Sequence, residues 1–260
     1  MSEVMAAKEE KNAAPVVDEA SFLFDKGFDC PVCQGKIKVR TLRSGRARVI
    51  RSDIDLRPVY ENVEPLKYDP VVCPSCGYSA LARYFPSLTQ AQIQDIKEKI
   101  CKSFQAVIKE QPTYTYEEAL YRYKLCLANA IVKHAPASEM AYICLKIGWL
   151  LRSQQEKLAL EDAAGNEKKC GELKAQEREF LKKAMDGFFD ARQVEEYPMC
   201  GMDEPTMEYL LAELAMEFDQ LDNASRLVSG IIASREASNR IKDRARDLKE
   251  MVLAKMKETK

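Results

Sequence analysis

The hydrophobic pattern of this chain changes near residue 87. Between Phe22 and Phe85, apolar residues alternate with polar ones over short runs that glycines and prolines interrupt, which is typical of β-strands. Beyond Ser87, apolar residues recur at helical spacing almost to the end of the chain. The pattern therefore predicts an α+β fold that is mostly α, with a small β-rich module at 22–86 followed by a helical domain at 87–260.

One strand pair is predicted inside the β-rich module. Ile37 and Val39 alternate with basic residues, as do Ala47 and Val49, and Ser44-Gly45 lies between the two runs at a suitable turn position. Such an arrangement favours a β-hairpin in which the two runs pair with each other.

Helix boundaries in the second part are marked by capping signals. Thr89-x-x-Gln92 and Thr115-x-x-Glu118 have the form of a capping box, and the helical spacing after the first box continues to Ile108. The remaining helices are predicted at about 138–164, 167–197, 205–218, 223–234 and 239–258, with Pro205 at the start of one of them.

Two helical stretches have a partial repeat signature. TYEEALYRYKLCLANA and LLAELAMEFDQLDNASRLVSGII are similar to the paired-helix tetratricopeptide pattern, in which a small residue, here Ala119 or Ala224, lets two helices approach closely. Glu208 and Ala212 occupy the aromatic and glycine positions of that pattern. The stretches therefore predict either a short tetratricopeptide-like solenoid or a generic helical bundle.

Charge and composition exclude little. The 40 lysines and arginines nearly balance 41 aspartates and glutamates, so the net charge of -1 gives no whole-molecule case for nucleic acid or membrane as a partner. No apolar run is long enough to cross a bilayer, and residues 1–21, rich in Ala, Glu and Lys, lack the apolar core of a secretion signal. We expect a cytoplasmic protein with a disordered leader at 1–21.

The cysteines carry the most specific signal in the chain. Cys30-Pro-Val-Cys33 has a second copy in Cys73-Pro-Ser-Cys76, and two such pairs supply the four thiolates of a closed structural zinc site. A zinc ribbon is the favoured interpretation, although the interval between the pairs exceeds the usual spacing of roughly 15–20 residues. Iron bound by the same four thiolates and a redox dithiol are the alternatives.

The remaining cysteines show no ligand spacing. We interpret them as small residues that pack between helices. They are Cys101, Cys126, Cys144, Cys170 and Cys200. His134, at a predicted helix end, is not expected to bind the metal because four cysteines already saturate zinc.

Every charged residue from 36 to 51 is basic. Basic hairpins of zinc ribbons contact nucleic-acid backbones, so this segment is a candidate nucleic-acid surface; the alternative is a small hairpin solvated by its charges. The candidate residues are Lys36, Lys38, Arg40, Arg43, Arg46 and Arg48.

The segment RSDIDLRPVY, residues 51–60, alternates charged and apolar residues. If it is extended, its charges share one face and can pair with each other or with the basic hairpin. A partner-binding role for Asp53, Asp55, Arg57 and Tyr60 is the second interpretation. Metal-binding catalytic carboxylates are the third, although no nucleophile, base or phosphate loop accompanies the two aspartates.

Taken together, the motifs FLFDKGFDCPVC, SDIDLRPVY, PLKYDPVVCPSCGYSALARYF and YLLAELAMEFDQLDNASRLVSGI resemble a bacterial, Firmicutes-type family of unknown function. The resemblance covers nearly the whole chain after the leader. It implies a zinc-ribbon-like head joined to a tetratricopeptide-like tail, and it implies no activity. Met216 and Phe218 depart from the repeat signature of the tail.

Three functions follow from these observations. The favoured one is a non-enzymatic scaffold that holds one structural zinc ion and binds protein partners through its ribbon head and helical repeats. The second is a nucleic-acid-binding protein that uses the basic hairpin. The third is an enzyme with redox-active cysteines or a metal at Asp53 and Asp55.

Overall fold

A computed structural model describes residues 18–105, 108 and 111–258. Most of the predicted leader lies outside the described residues. Residues 18–21 differ from the prediction because Asp18 caps a short 3-10 helix, Glu19–Phe22. The Glu19 carboxylate then accepts hydrogen bonds from Lys67 Nζ at 2.7 Å and Tyr68 Oη at 2.9 Å, which fastens this turn to the rest of the molecule.

The β-rich part is built from three separate antiparallel pairs among the described residues: β1 with β2, β3 with β4, and β5 with β6. The strands are β1 (Leu23–Asp29), β2 (Lys36–Leu42), β3 (Val49–Ser52), β4 (Pro58–Tyr60), β5 (Pro70–Val72) and β6 (Ser79–Leu81). A second 3-10 helix, Pro65–Tyr68, connects β4 to β5.

The predicted pairing of β2 with β3 is wrong, although the turn at Ser44-Gly45 is present. Strand β2 pairs with β1, from Leu23 opposite Leu42 to Asp29 opposite Lys36, and β3 pairs with β4. The physical reason is the first cysteine pair. The turn that contains Cys30 and Cys33 folds the chain directly back onto β1. Strand β1 therefore occupies the hydrogen-bonding edge of β2.

The helical part confirms the predicted α+β, mostly α architecture. Its helices are α1 (Gln90–Ile96), α2 (Tyr116–Val132), α3 (Ala137–Asp162), α4 (Glu167–Val194), α5 (Glu204–Glu217), α6 (Leu221–Ala233) and α7 (Asn239–Glu258). Thr89 and Gln92 form the predicted capping box, and Thr115 accepts a hydrogen bond from the backbone N–H of Glu118.

Helix α1 is shorter than the apolar spacing predicts. It continues as a π-helical turn, Lys97–Cys101, and helical structure ends there, well before Ile108. Phe104 instead turns back onto Gly77, whose Cα faces the phenyl ring so closely that an added Cβ would lie 2.4 Å from it. Packing against the second cysteine turn therefore overrides the local helical pattern.

Helices α3 and α4 form the longest helix pair of the fold. Leu181 of α4 occupies the space beside Gly148 of α3, where a Cβ would lie 2.6 Å from the leucine side chain. Leu145, Leu150 and Phe188 are fully buried between these and neighbouring helices. None of the described helices is both long enough and apolar enough to cross a membrane.

The two repeat-like stretches differ in structure. TYEEALYRYKLCLANA lies within the single helix α2, whereas the second stretch spans the adjacent helices α5 and α6. Ala119 and Ala224 are both fully buried. Tetratricopeptide repeats therefore remain a prediction, and so does a domain boundary at residue 86, since Leu66 and Leu81 of the β-rich part join the same apolar core as the helices.

Candidate metal centre

Two turns of the same construction bring the cysteines together. The first connects β1 to β2, where Cys30 N–H donates to Gly35 O and Gln34 N–H to Cys30 O, both at 2.9 Å. The second connects β5 to β6, where Cys73 N–H donates to Tyr78 O at 2.8 Å and Gly77 N–H to Cys73 O at 3.0 Å. Gly77 has a positive φ of 77°, a conformation that glycine adopts without strain.

The four sulfur atoms converge on one point. Cys30 Sγ lies 3.7 Å from Cys76 Sγ, and Cys33 Sγ lies 3.6 Å from Cys73 Sγ. All four sulfurs lie within 4.8 Å of one another. A tetrahedral site with Zn–S bonds of about 2.3 Å needs sulfur separations of roughly 3.8 Å, so this donor set fits a closed four-thiolate metal site. Iron with four thiolates fits equally well.

Burial and mutual hydrogen bonding set the protonation of these thiols. Hydrogen bonds from Cys30 and Cys76 lower the pKa of Cys73. The contact with Cys73 and burial raise the pKa of Cys30, and contacts with Cys30 and Cys73, together with burial, raise the pKa of Cys76. A metal ion that binds all four sulfurs must therefore displace protons from the cluster.

An apolar shell encloses the cluster on its protein side. The Phe85 ring packs edge-on against Phe28 at a centroid distance of 5.6 Å. The same ring packs at a tilt against Tyr78 at a centroid distance of 4.8 Å. The Tyr78 hydroxyl donates to Phe85 O at 2.9 Å, and Ile96 of α1 is fully buried in the same cluster. These contacts hold the second cysteine turn against the start of the helical part.

A fifth cysteine lies beside this centre. The π-helical turn packs Cys101 against the cluster that contains Cys76, and burial raises the pKa of the Cys101 thiol, while Cys76 opposes this by a smaller amount. Cys101 does not belong to the group of four sulfurs that converge. Its position was missed by sequence analysis because the residue has no ligand spacing and the π-helical turn has no sequence signal.

The other four cysteines do not occur at the spacing of metal ligands. Cys126 and Cys144 are buried in helices, as predicted for packing residues, and Cys170 is half-buried in α4. Cys200 is different because it lies in the loop before α5, where its thiol donates to Ser138 O at 3.2 Å.

The candidate nucleic-acid residues lie on β2 and in the loop that follows it. Lys36, Lys38 and Arg40 lie on β2, whereas Arg46 and Arg48 lie in the following turn and the approach to β3. All are at the surface.

Several of these basic side chains are already engaged. Arg40 pairs with Asp25 at 3.1 Å, and Arg48 approaches Glu61 at 3.8 Å. Arg43 donates to Leu23 O at 2.9 Å. The continuous basic hairpin that the sequence predicts is therefore not formed, since β2 and β3 belong to different strand pairs.

The segment RSDIDLRPVY is also different from the extended strand that alternation predicts. Residues 53–57 form the turn between β3 and β4, in which Asp53 N–H donates to Arg57 O at 2.8 Å and Leu56 N–H to Asp53 O at 3.1 Å. Leu56 has a positive φ of 68°. The turn directs its charged side chains toward helix α3.

Helix α3 supplies the partners of these charges. Asp55 Oδ2 accepts from Trp149 Nε1 at 2.9 Å and from Arg152 Nη1 at 2.7 Å. Arg57 donates to Asp53 Oδ2 at 2.6 Å. Asp55 and Arg57 are 0% and 1% exposed, so both side chains are buried and interact with partners inside the fold.

Two more α3 residues complete the contacts of Arg57. Ser153 Oγ accepts from it at 2.8 Å and Glu156 Oε1 at 2.5 Å. The sequence had assigned a candidate partner-binding role to Asp53, Asp55, Arg57 and Tyr60. The side chains of Asp53, Asp55 and Arg57 are engaged within the chain, Tyr60 is half-exposed, and a partner-binding role for the four residues stays a prediction. Sequence analysis did not find Trp149 and Arg152 as partners of Asp55. Their only signal in the sequence is that the single tryptophan lies three residues before an arginine.

Comparison with known proteins gives one match. A family model described as "uncharacterized protein conserved in bacteria (DUF2225)" matches residues 23–252, a range that includes both cysteine pairs and helices α1 to α6. No curated protein and no solved structure matches the chain. The family resemblance inferred from the motifs is thereby confirmed.

Proposed function

The chain belongs to the bacterial DUF2225 family, and we propose that it is a non-enzymatic interaction protein whose head is held together by one structural zinc ion. The observation that carries this proposal is the convergence of the four cysteine sulfurs. Four thiolates fill the coordination sphere of zinc, and a site without an open position suits a structural role better than a catalytic one.

Strand β3 is the surface of the head that we propose for a protein partner. All four of its residues are exposed, including Val49 at 50% and Ile50 at 56%. Within the described part of the chain β3 pairs only with β4, so its other edge offers backbone donors and acceptors to an added strand. Arg46 and Arg48 flank the strand, which favours an acidic partner segment.

The helical domain is the second proposed binding element. Helices α5 and α6 form an adjacent pair around the fully buried Ala224. Stacked helix pairs present extended faces that suit peptide or protein partners.

Nucleic acid is the alternative partner. Lys36, Lys38 and Arg46 are exposed and form no ion pair with any other residue of the described ranges, so their charges are available to phosphates. This alternative predicts binding that weakens steeply with salt.

Affinity capture of the tagged protein from its native host, with and without nuclease, separates the two. Protein partners that survive nuclease and are lost in a Val49→Asp/Ile50→Asp double variant support the proposal. The matched variant is Lys36→Glu/Lys38→Glu, which changes exposed residues of the neighbouring sheet. Nucleic acid that is recovered from the wild type and lost in this variant would favour the alternative instead.

The structural role of the metal has its own test. X-ray absorption of the purified protein should show zinc with four sulfur neighbours and no light-atom ligand. An oxygen or nitrogen ligand that exchanges with solvent would contradict the non-enzymatic proposal, because it would reveal an open coordination position.

A further inference from the structure

A cavity of about 510 Å³ lies between the β-rich head and helix α3. Strand β4 and the 3-10 helix Pro65–Tyr68 form one side, and Tyr142, Lys146 and Trp149 of α3 form the other. We propose that this cavity binds a small organic anion with an aromatic or branched apolar body. The inference is independent of the metal centre and of any protein partner.

Size and location suit a small-molecule site. Ligand cavities commonly measure about 300–1,000 Å³ and lie where two substructures meet. The wall is largely apolar, with Leu56, Pro58 and Leu66 contributed by the head and Trp149 by the helix. The indole N–H of Trp149 is held by Asp55, which fixes the ring in the wall. An aromatic or branched hydrocarbon body fits such a surface.

Lys146 is the cationic donor of the cavity. Lys146 forms an ion pair with Asp69, and its ammonium lies 4.8 Å from the centre of the Tyr142 ring. An ammonium carries three N–H donors, and the Asp69 carboxylate accepts from one of them. The hydroxyl of Tyr60 lines the same cavity. The other ammonium donors and the Tyr60 hydroxyl are thus available to a ligand.

The remaining donors of Lys146 favour a ligand that supplies acceptors. Asp69 is the one carboxylate among the lining residues, and it already accepts from Lys146. A bound molecule must therefore supply acceptors, and hydrogen bonds from an ammonium are strongest when the acceptor is ionised. A carboxylate or sulfonate meets this requirement, whereas a cation without acceptors does not.

The single tryptophan of the chain makes the proposal directly measurable. The probe is 8-anilinonaphthalene-1-sulfonate, an aromatic organic anion, titrated into the zinc-loaded full-length protein. We expect saturable one-site quenching of Trp149 emission with energy transfer to the probe. Thr206→Phe, which places a ring in the cavity lining, should abolish the signal, and Lys146→Met should weaken binding about tenfold or more.

The control variant is Lys124→Met, which removes an exposed lysine of α2 that does not line the cavity. It should bind like the wild type. If Lys146→Met fails to fold, Tyr60→Phe replaces it, with weaker binding expected from loss of one donor. Absence of Trp149 quenching, or quenching that survives Thr206→Phe, would overturn the site. Equal affinity for the uncharged N-phenyl-1-naphthylamine would overturn the preference for an anion.

Discussion

Trp149 donates its indole N–H to the Asp55 carboxylate at 2.9 Å, which joins helix α3 to the turn between β3 and β4. Arg152 Nη1 reaches the same carboxylate oxygen at 2.7 Å and extends to Glu177 of α4 through its Nε at 2.6 Å. The position of the head on the helices thus depends on a carboxylate that is fully buried. Such a group is tolerated only while its partners remain in place.

Replacement of Asp55 by alanine should strongly destabilise the protein. The substitution removes one of the two carboxylates in close contact with Arg152 and leaves Trp149 without its acceptor, and breaking a buried ion pair costs about 3–5 kcal/mol. The free energy of unfolding, measured by urea denaturation with far-ultraviolet circular dichroism, checks this expectation.

Asp25→Ala is the matched control. Asp25 also pairs with an arginine, Arg40, at 3.1 Å, but its side chain is 52% exposed. Exposed pairs contribute about 0–1 kcal/mol, so this variant should unfold almost like the wild type. Equal losses in the two variants would show that the buried carboxylate matters no more than a surface pair.

The sequence predicted what depends on local spacing. The two CPxC motifs placed four ligands because metal-binding turns need only a few consecutive residues, and Thr89 and Thr115 marked helix starts because a cap bonds to the backbone two or three residues away. Strand partners were predicted incorrectly for β2 because pairing is decided by neighbours in space. Nothing near Asp55 in the sequence indicates that Arg152 and Trp149 would neutralise it.

Metal removal should unfold the head before the helices. Strands β1 to β4 bury few apolar residues, namely Leu23, Ile37 and Val39, and a metal bridge between two turns stabilises a small module of this kind. Purified protein should contain one zinc per chain by elemental analysis. After chelation, hydrogen exchange should rise in β1, β2, β5 and β6, while α3 and α4 stay protected.

Cysteine variants define the ligand set. Cys73→Ser should lose the metal, whereas Cys101→Ser and Cys170→Ser should each retain one ion per chain, because neither residue belongs to the converging group. Metal retention in Cys73→Ser, or its loss in Cys101→Ser, would show that the ligand set differs from the one inferred here.

Gly77→Ala should weaken metal retention. The residue has a φ of 77°, and the added Cβ would lie 2.4 Å from the Phe104 ring. A left-handed conformation costs an alanine roughly 1–2 kcal/mol before any displacement of Phe104 is counted. Competition with a chromophoric chelator measures the loss of zinc affinity. Gly27→Ala is the control, since a Cβ there would meet nothing within 4 Å and should change little; indistinguishable affinities in the two variants would contradict the strain argument.

The buried carboxyl of Glu213 predicts how stability depends on pH. Glu213, on α5, is 5% exposed, and its Oε2 has no hydrogen-bond partner among the described residues. Burial raises its pKa well above the ordinary value, the nearby carboxylates of Asp55 and Glu217 raise it further, and Arg152 opposes them. The folded protein therefore holds a proton that the unfolded chain releases above about pH 4.3.

The sign of the effect follows from this difference in bound protons. Because the native state binds the additional proton, the stabilisation is complete below the unfolded pKa and decreases as pH rises toward the folded pKa, by at most about 1.4 kcal/mol per pH unit. Glu213→Gln cannot ionise and should lose this dependence, so its stability relative to the wild type should increase with pH. Urea unfolding at several values between about pH 5 and pH 8 measures the difference. Glu236→Gln, at an exposed position, should run parallel to the wild type; a parallel curve for Glu213→Gln as well would mean that Glu213 is ionised in the folded protein.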